Sequence, residues 1–179
     1  MAVRELNLEA ASAPGYFAAG FWLGVSQVAL GFHLLYSQGA AVVYYFALVS
    51  VWLFGSVIAL VALKSQFKGV YIGCGCLLLL VAAFGMARLQ PFGALSLALL
   101  LLSSLVQGVF AGWFLKSRIA SGGSVSSVML HENNGFISGY GVAGALLFFS
   151  ISKLDLLAVG AGVLWILVEA LAKRPSNMK

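Results

Sequence analysis

The sequence predicts an all-α fold, a polytopic integral membrane protein built as a bundle of about six transmembrane helices. Three observations lead there. First, 62% of the 179 residues are apolar and only 8% are charged, whereas a soluble domain carries about 25% charged residues. Second, the apolar residues run in long stretches almost free of charge, the signature of membrane spans. Third, the basic residues stand singly or in pairs at the ends of those stretches, as topology signals do. A net charge of +5 therefore does not point to nucleic acid, because no basic stripe or cluster is present.

The spans are expected at 14–36, 41–63, 69–87, 92–115, 135–152 and 154–172. Each has about 18–24 residues, enough to cross about 30 Å of hydrocarbon at 1.5 Å per residue. Residues 1–13 form an N-terminal segment, 14–172 the membrane domain and 173–179 a tail; the longest polar connection runs from Lys116 to about Asn134. Glu5 and Glu9 precede the first apolar run, and the small Ala11-Ser12-Ala13 stretch comes before it, which is not the order of a secretory signal peptide. Ser37-Gln38-Gly39-Ala40 reads as a tight turn with Gly39 its permissive residue. Pro91 is expected to open the fourth helix, where a missing N–H costs nothing. Ser152-Lys153-Leu154-Asp155 is expected to separate the fifth and sixth helices as a close antiparallel hairpin.

Charge then orients the bundle. With the N-terminus inside, Arg4, Lys64, Lys68, Lys116, Arg118, Lys173, Arg174 and Lys179 are cytoplasmic, and only Arg88 and Lys153 lie outside. That bias places both termini in the cytoplasm of a multi-pass protein of the cell (inner) membrane. Trp113, Tyr71 and Tyr36 fall near span ends, where aromatic belts form. Six helices divide three and three, the arrangement of inverted-repeat transporters, but the two sequence halves show no visible match.

Two polar or small-residue stripes are candidates for function. Gly20, Gly24, Gln27, Gly31 and Gln38 share one arc of the first helix; Ser104, Gln107, Gly108 and Ala111 share one side of the fourth. Close helix packing is one reading, with Gln27 supplying an interhelical hydrogen bond. In the other, the stripes face each other across an uncharged path lined by Gln27, Gln107 and Ser104. Gly135 and Gly139 extend the packing set to the fifth helix.

His131-Glu132-Asn133-Asn134-Gly135 is the most polar cluster. At the expected entry to the fifth helix, Asn133 or Asn134 would cap free N–H groups and Glu132 would complement the helix dipole. The alternative is a cytoplasmic-side site completed by Glu169, although Glu169 has a simple surface partner in Lys173 one turn on. His33 and His131 fall near opposite faces of the bilayer, too far apart for one haem iron. Cys74 and Cys76 stand two apart on a helix, so their side chains diverge and form neither a disulfide nor a shared metal site; both read as packed thiols.

Enzyme signatures are missing: no paired carboxylates, metal-ligand histidine spacing, phosphate loop or nucleophile motif is present. No enzyme activity, cofactor or metal is expected. Nor does an ionisable residue lie deep in an expected span, which weighs against an ion-coupled pump.

Phe17-Ala18-Ala19-Gly20-Phe21 with Gln27, and Glu132 with Gly135, Gly139 and Gly144, resemble the integral-membrane domain of bacterial spermidine-synthase-like proteins. The two stretches cover about a fifth of the chain. Gln27 stands where that family often has an acidic residue, and the family's soluble catalytic domain is absent from this sequence. The resemblance thus implies a transporter-like helical membrane domain without aminopropyl transfer. Two expectations follow: a small transporter-like protein for a neutral or weakly polar solute, or an accessory or structural subunit within a larger membrane complex. The lipid bilayer and either a second copy or other membrane subunits are the expected partners, with no nucleic acid.

Overall fold

The computed structural model describes residues 2–39, 42–65 and 67–172, with side chains placed from Ala13 to Leu171. It is a helical bundle in the order α1 Ala2–Gln38, α2 Val42–Ala62, α3 Gly69–Leu89, α4 Ala94–Ala120, α5 Val125–Leu147 and α6 Ile151–Ala172. Five of these, α5 being the exception, are long and apolar enough by themselves to cross a membrane. The chain is a polytopic helical membrane protein, as the composition predicts.

Several boundaries differ from expectation, each for a local reason. α1 extends back through the N-terminal segment and runs through Pro14. Gly39 turns the first connection at φ +80, the left-handed region open to glycine; Ala40 lies outside the described residues. Pro91 does not open α4. It sits in the preceding turn with Phe92, whose φ of +66 is unusual for a side-chain-bearing residue, and Gly93 is the N-cap residue. The Phe92 N–H donates to the Ser37 carbonyl at 2.6 Å, fastening this turn to the end of α1.

The largest shift is in α5, which begins at Val125, not at 135. Ser124 is its N-cap, and the side-chain oxygen accepts from the Ser127 N–H. The connection expected over Lys116 to Asn134 shrinks to residues 121–124, and the final hairpin turns at Phe148-Phe149-Ser150. Ser152, Lys153 and Asp155 therefore belong to α6.

Two tight helix pairs organise the bundle. In the first, a methyl group on Gly20 or Gly24 of α1 would run into the backbone carbonyls of Glu132 or Phe136 on α5, and one on Gly135 would meet Phe17. In the second, Gly108 and Gly112 of α4 press on the carbonyls of Trp52 and Ser56 on α2, and Gly55 presses on Leu105. Matching Gly20 to Gly108 and Glu132 to Trp52 carries each contact onto its counterpart: Gly24 onto Gly112, Phe136 onto Ser56, Gly135 onto Gly55, Phe17 onto Leu105. Both pairs are parallel, since contact positions rise together. α3 packs on α4 as α6 packs on α1, so α1–α3 and α4–α6 are structurally related halves. Their first helices, α1 and α4, run antiparallel, with Tyr16 against Phe114 and Trp22 against Phe110, so the halves are related in inverted sense. Gly20-Phe21-Trp22-Leu23-Gly24 and Gly108-Val109-Phe110-Ala111-Gly112 are the local sequence trace of this relation.

Candidate functional site at the crossing of the two halves

α1 and α4, the first helices of the two halves, meet antiparallel at the centre. The Trp22 and Phe110 rings pack edge-on at 5.1 Å; Trp165 of α6 stacks on Trp22 at 5.6 Å and meets Phe110 at 4.7 Å. One helical turn from this aromatic cluster, on the same side of it, lie Ser26 on α1 and Gln107 on α4, with Ser103 a further turn along α4. Gln107 is 1% exposed and is the middle residue of its helix. Among the described residues neither its amide nitrogen nor its oxygen has a partner, and the buried hydroxyls of Ser26 and Ser103 and the indole N–H groups of Trp22 and Trp165 are also unpaired. A buried polar group without a hydrogen bond costs about 1–3 kcal/mol, so this concentration at the centre is the most unusual polar feature of the fold.

Both ends of the same interior are closed by charge. At the end where α4 and α6 finish, Arg118 of α4 donates to Glu169 of α6, and its guanidinium lies over the Phe114 ring at 5.0 Å and the Tyr16 ring at 5.9 Å. At the far end, Asp155 of α6 takes His33 of α1 at 2.8 Å and Arg88 of α3 at 2.5 Å. His33 stacks on Phe84 at 4.6 Å. Thus α6 carries one carboxylate at each end, and each is tied to different helices.

The candidate residues fare unequally. Gln107 is buried at the centre of α4. Ser104 is not free to line a path, because its hydroxyl donates to the Leu48 carbonyl at 3.0 Å. Gln27 faces α5, where its Oε1 accepts from the Tyr140 hydroxyl at 2.9 Å. The two stripes do not face each other: Gly20 and Gly24 look at α5, Ser104 and Gly108 at α2. Gly135 and Gly139 do pack as expected, whereas Gly31 makes only an ordinary contact, 3.8 Å from Leu48.

The cap expected at Asn133 or Asn134, with Glu132 at the helix dipole, is overturned, because His131, Glu132, Asn133 and Asn134 all lie inside α5, whose N-cap is Ser124. Glu169 does not complete that segment into a site; it packs against α3 and α4, near Gly69 and Arg118. Nor is it a surface residue. It is 4% exposed and bound to Arg118, and Lys173 lies outside the described residues. The expectation that no ionisable group sits deep in a helix fails with it, since Glu132 lies at the level of Gly20. Cys76 is buried and donates weakly to the Val106 carbonyl at 3.5 Å, and neither cysteine is bridged. Among the described residues no cluster of three or more His, Cys, Asp or Glu side chains could hold a metal ion.

Sequence reasoning missed both charge clusters. Asp155 is separated from His33 by 122 residues and Glu169 from Arg118 by 51. The one local hint was an Asp just after a span boundary with no cation one turn away. Comparison with family models, curated proteins and solved structures finds no match to this chain. The resemblance to the spermidine-synthase-like membrane domain therefore stands on its quoted residues alone.

Proposed function

We propose that this protein is a small inverted-repeat transporter for a neutral or weakly polar solute, which passes the crossing of α1 and α4 at Gln107. The observation that carries this reading is the buried, unpartnered Gln107 amide at the middle of the bundle, between halves of opposite orientation. Inverted-repeat carriers keep their substrate site at the midplane between the repeats. A primary amide offers two donors and two lone pairs, and Ser26 and Ser103 add hydroxyls; no charged group joins them. Such a set suits a small uncharged molecule with its own donors and acceptors. The Arg118–Glu169 pair and the His33–Asp155–Arg88 cluster then act as the closures on the two sides, and the arrangement is the occluded form. The charge bias along the sequence places the termini and the Arg118–Glu169 end in the cytoplasm, in a cell (inner) membrane.

The test is flux in liposomes containing the purified chain, followed by osmotic swelling with a panel of small alcohols, amides and polyols. Gln107→Leu is expected to abolish solute-dependent swelling while the melting temperature in detergent holds or rises, because the substitution removes an unsatisfied amide. A lower melting temperature with unchanged swelling would remove Gln107 from the pathway. One feature favours the accessory-subunit reading, namely a polar outer face on α5 that requires a neighbour. If that neighbour is a different protein and the purified chain moves no solute, the accessory role replaces transport.

A further inference from the structure

The outer face of α5 is built for contact with protein, not lipid. Its depth is fixed by the parallel pairing with α1: Glu132 lies against Gly20, Phe136 against Gly24, and Tyr140 bonds Gln27. Asn133 and Asn134 therefore sit level with Phe21 and Trp22, well inside the span of Ala13–Gln38. Both are exposed, and neither side chain makes a hydrogen bond among the described residues. An asparagine side chain is too short to reach the interface from there, and an unsatisfied amide in hydrocarbon is costly.

The counterpart helix gives an internal control. The positions of α2 that match Asn133, Asn134, Ile137, Ser138 and Gly141 are Leu53, Phe54, Val57, Ile58 and Val61, all exposed and all apolar. Where the related half meets lipid, it is lipid-like; α5 departs from that at four of the five positions. Ser138 satisfies its hydroxyl on the Asn134 carbonyl at 2.8 Å, which leaves the two amides as the groups that need partners. Gly141 and Gly144 have open space beyond them, so a second backbone can approach closely, as in the two glycine-lined pairs inside the bundle.

We infer that this face is the interface of a homodimer, in which α5 of one protomer packs in parallel on α5 of its partner. Asparagine is self-complementary, since each amide carries both donors and an acceptor. A two-fold axis along the membrane normal brings the same residues of two copies to the same depth, so the unmet groups of one copy are met by those of the other. This inference does not depend on the transport reading.

Oxidative cross-linking of the full chain in native membranes tests it, with Cys74→Ser and Cys76→Ser removing the native thiols. Ile137→Cys and Gly141→Cys are expected to give a species of twice the chain mass. Leu78→Cys on α3 and Leu156→Cys on α6, both 73% exposed in the wild type, should remain monomeric. Adding Asn133→Leu and Asn134→Leu to the Ile137→Cys variant should weaken association roughly tenfold, read as the cross-linked fraction on dilution into lipid. The melting temperature of the protomer in detergent checks that this variant is folded. Equal cross-linking at all four positions, none at Ile137→Cys and Gly141→Cys, a product containing a different polypeptide, or indifference to the asparagine substitutions in a folded variant would each overturn the homodimer.

Discussion

The α1·α5 and α2·α4 pairs are two solutions of one packing problem, and their differences separate what packing requires from what the molecule adds. Both use glycine so that two backbones touch, at matching positions and in matching register. Away from that seam they diverge. The lipid-side face of α2 is apolar, whereas that of α5 carries Asn133 and Asn134. Gln27 and Tyr140 form a hydrogen bond in the first pair; the matching residues of the second pair are Leu115 and Leu60. Shared features are thus those that close approach demands, and unshared ones mark where a half has acquired a separate task.

The sharpest way to break the comparison is at the shared seam. Gly24→Leu and Gly112→Leu are expected to have equivalent, large effects, because each forces a side chain into a facing carbonyl. Overpacking typically costs about 1–3 kcal/mol and more when backbone must move, so both variants should lose most of their thermal stability in detergent. Gly15→Leu, with only Val168 at 4.0 Å, and Gly75→Leu on α3, facing open space, should be mild. Tolerance at Gly112 combined with collapse at Gly24 would show that the pairs are not equivalent.

Next in size is the Arg118–Glu169 pair, which has no ionic counterpart in the other half: Arg118 matches Leu30. Removing one member strands a buried charge, so Glu169→Gln should cost about 3 kcal/mol or more, discounted for the part of Arg118 that reaches solvent. Arg118→Met with Glu169→Met should recover much of that loss, since an apolar pair matches what the related half already tolerates. A double variant as unstable as either single one would mean that the pair is needed for the fold itself.

The lipid-facing difference supplies a third test of intermediate size. Phe54→Asn gives α2 the side chain that α5 has at the matching position, without a partner surface. It should destabilise the protein in lipid by a few kcal/mol, the usual cost of an unsatisfied amide in hydrocarbon. Asn134→Phe should leave the isolated protomer as stable or more so in detergent, measured by thermal unfolding. Equal responses at the two sites would deny the two faces different surroundings.

These contrasts also show what was legible in the sequence. Helix number followed from composition and run length, which are local properties, and so did the glycine rows, because i, i+4 spacing defines a helix face by itself. Which helix each row meets was not legible, since contact between Gly20 and Glu132 depends on tertiary arrangement. The start of α5 was misplaced for a related reason: His131 to Asn134 reads as a loop unless it is known that α1 supports one side of it. Gln107 was recognised as a polar path-lining candidate, yet its lack of a partner among the described residues is visible only once Ser104, three residues away, is seen bonded to Leu48. The inverted repeat left too short a trace, two five-residue glycine-bounded segments, because only the seam is held in common.

The smallest expected effect concerns Gln27, and it decides whether the polar link of α1·α5 is structural. Its Oε1 accepts from Tyr140 at 2.9 Å in a half-buried site between two helices already held by glycine contacts. Interhelical side-chain hydrogen bonds in membranes average about 0.6 kcal/mol, because the separated helices find other partners. Gln27→Leu should therefore lower stability by about that amount, and Tyr140→Phe by a similar one. The double variant should be no worse than either, giving a coupling energy equal to the bond. Together the substitutions give α1·α5 the apolar character that Leu115 and Leu60 give its counterpart, so a larger loss would need a second role for the amide. Solute-dependent swelling supplies the remaining discrimination. If Gln27 serves only the α1·α5 seam, flux is unchanged in Gln27→Leu and lost in Gln107→Leu. Loss of flux in both would return Gln27 to the pathway, and would require α5 to move away from α1 for the amide to be released from Tyr140.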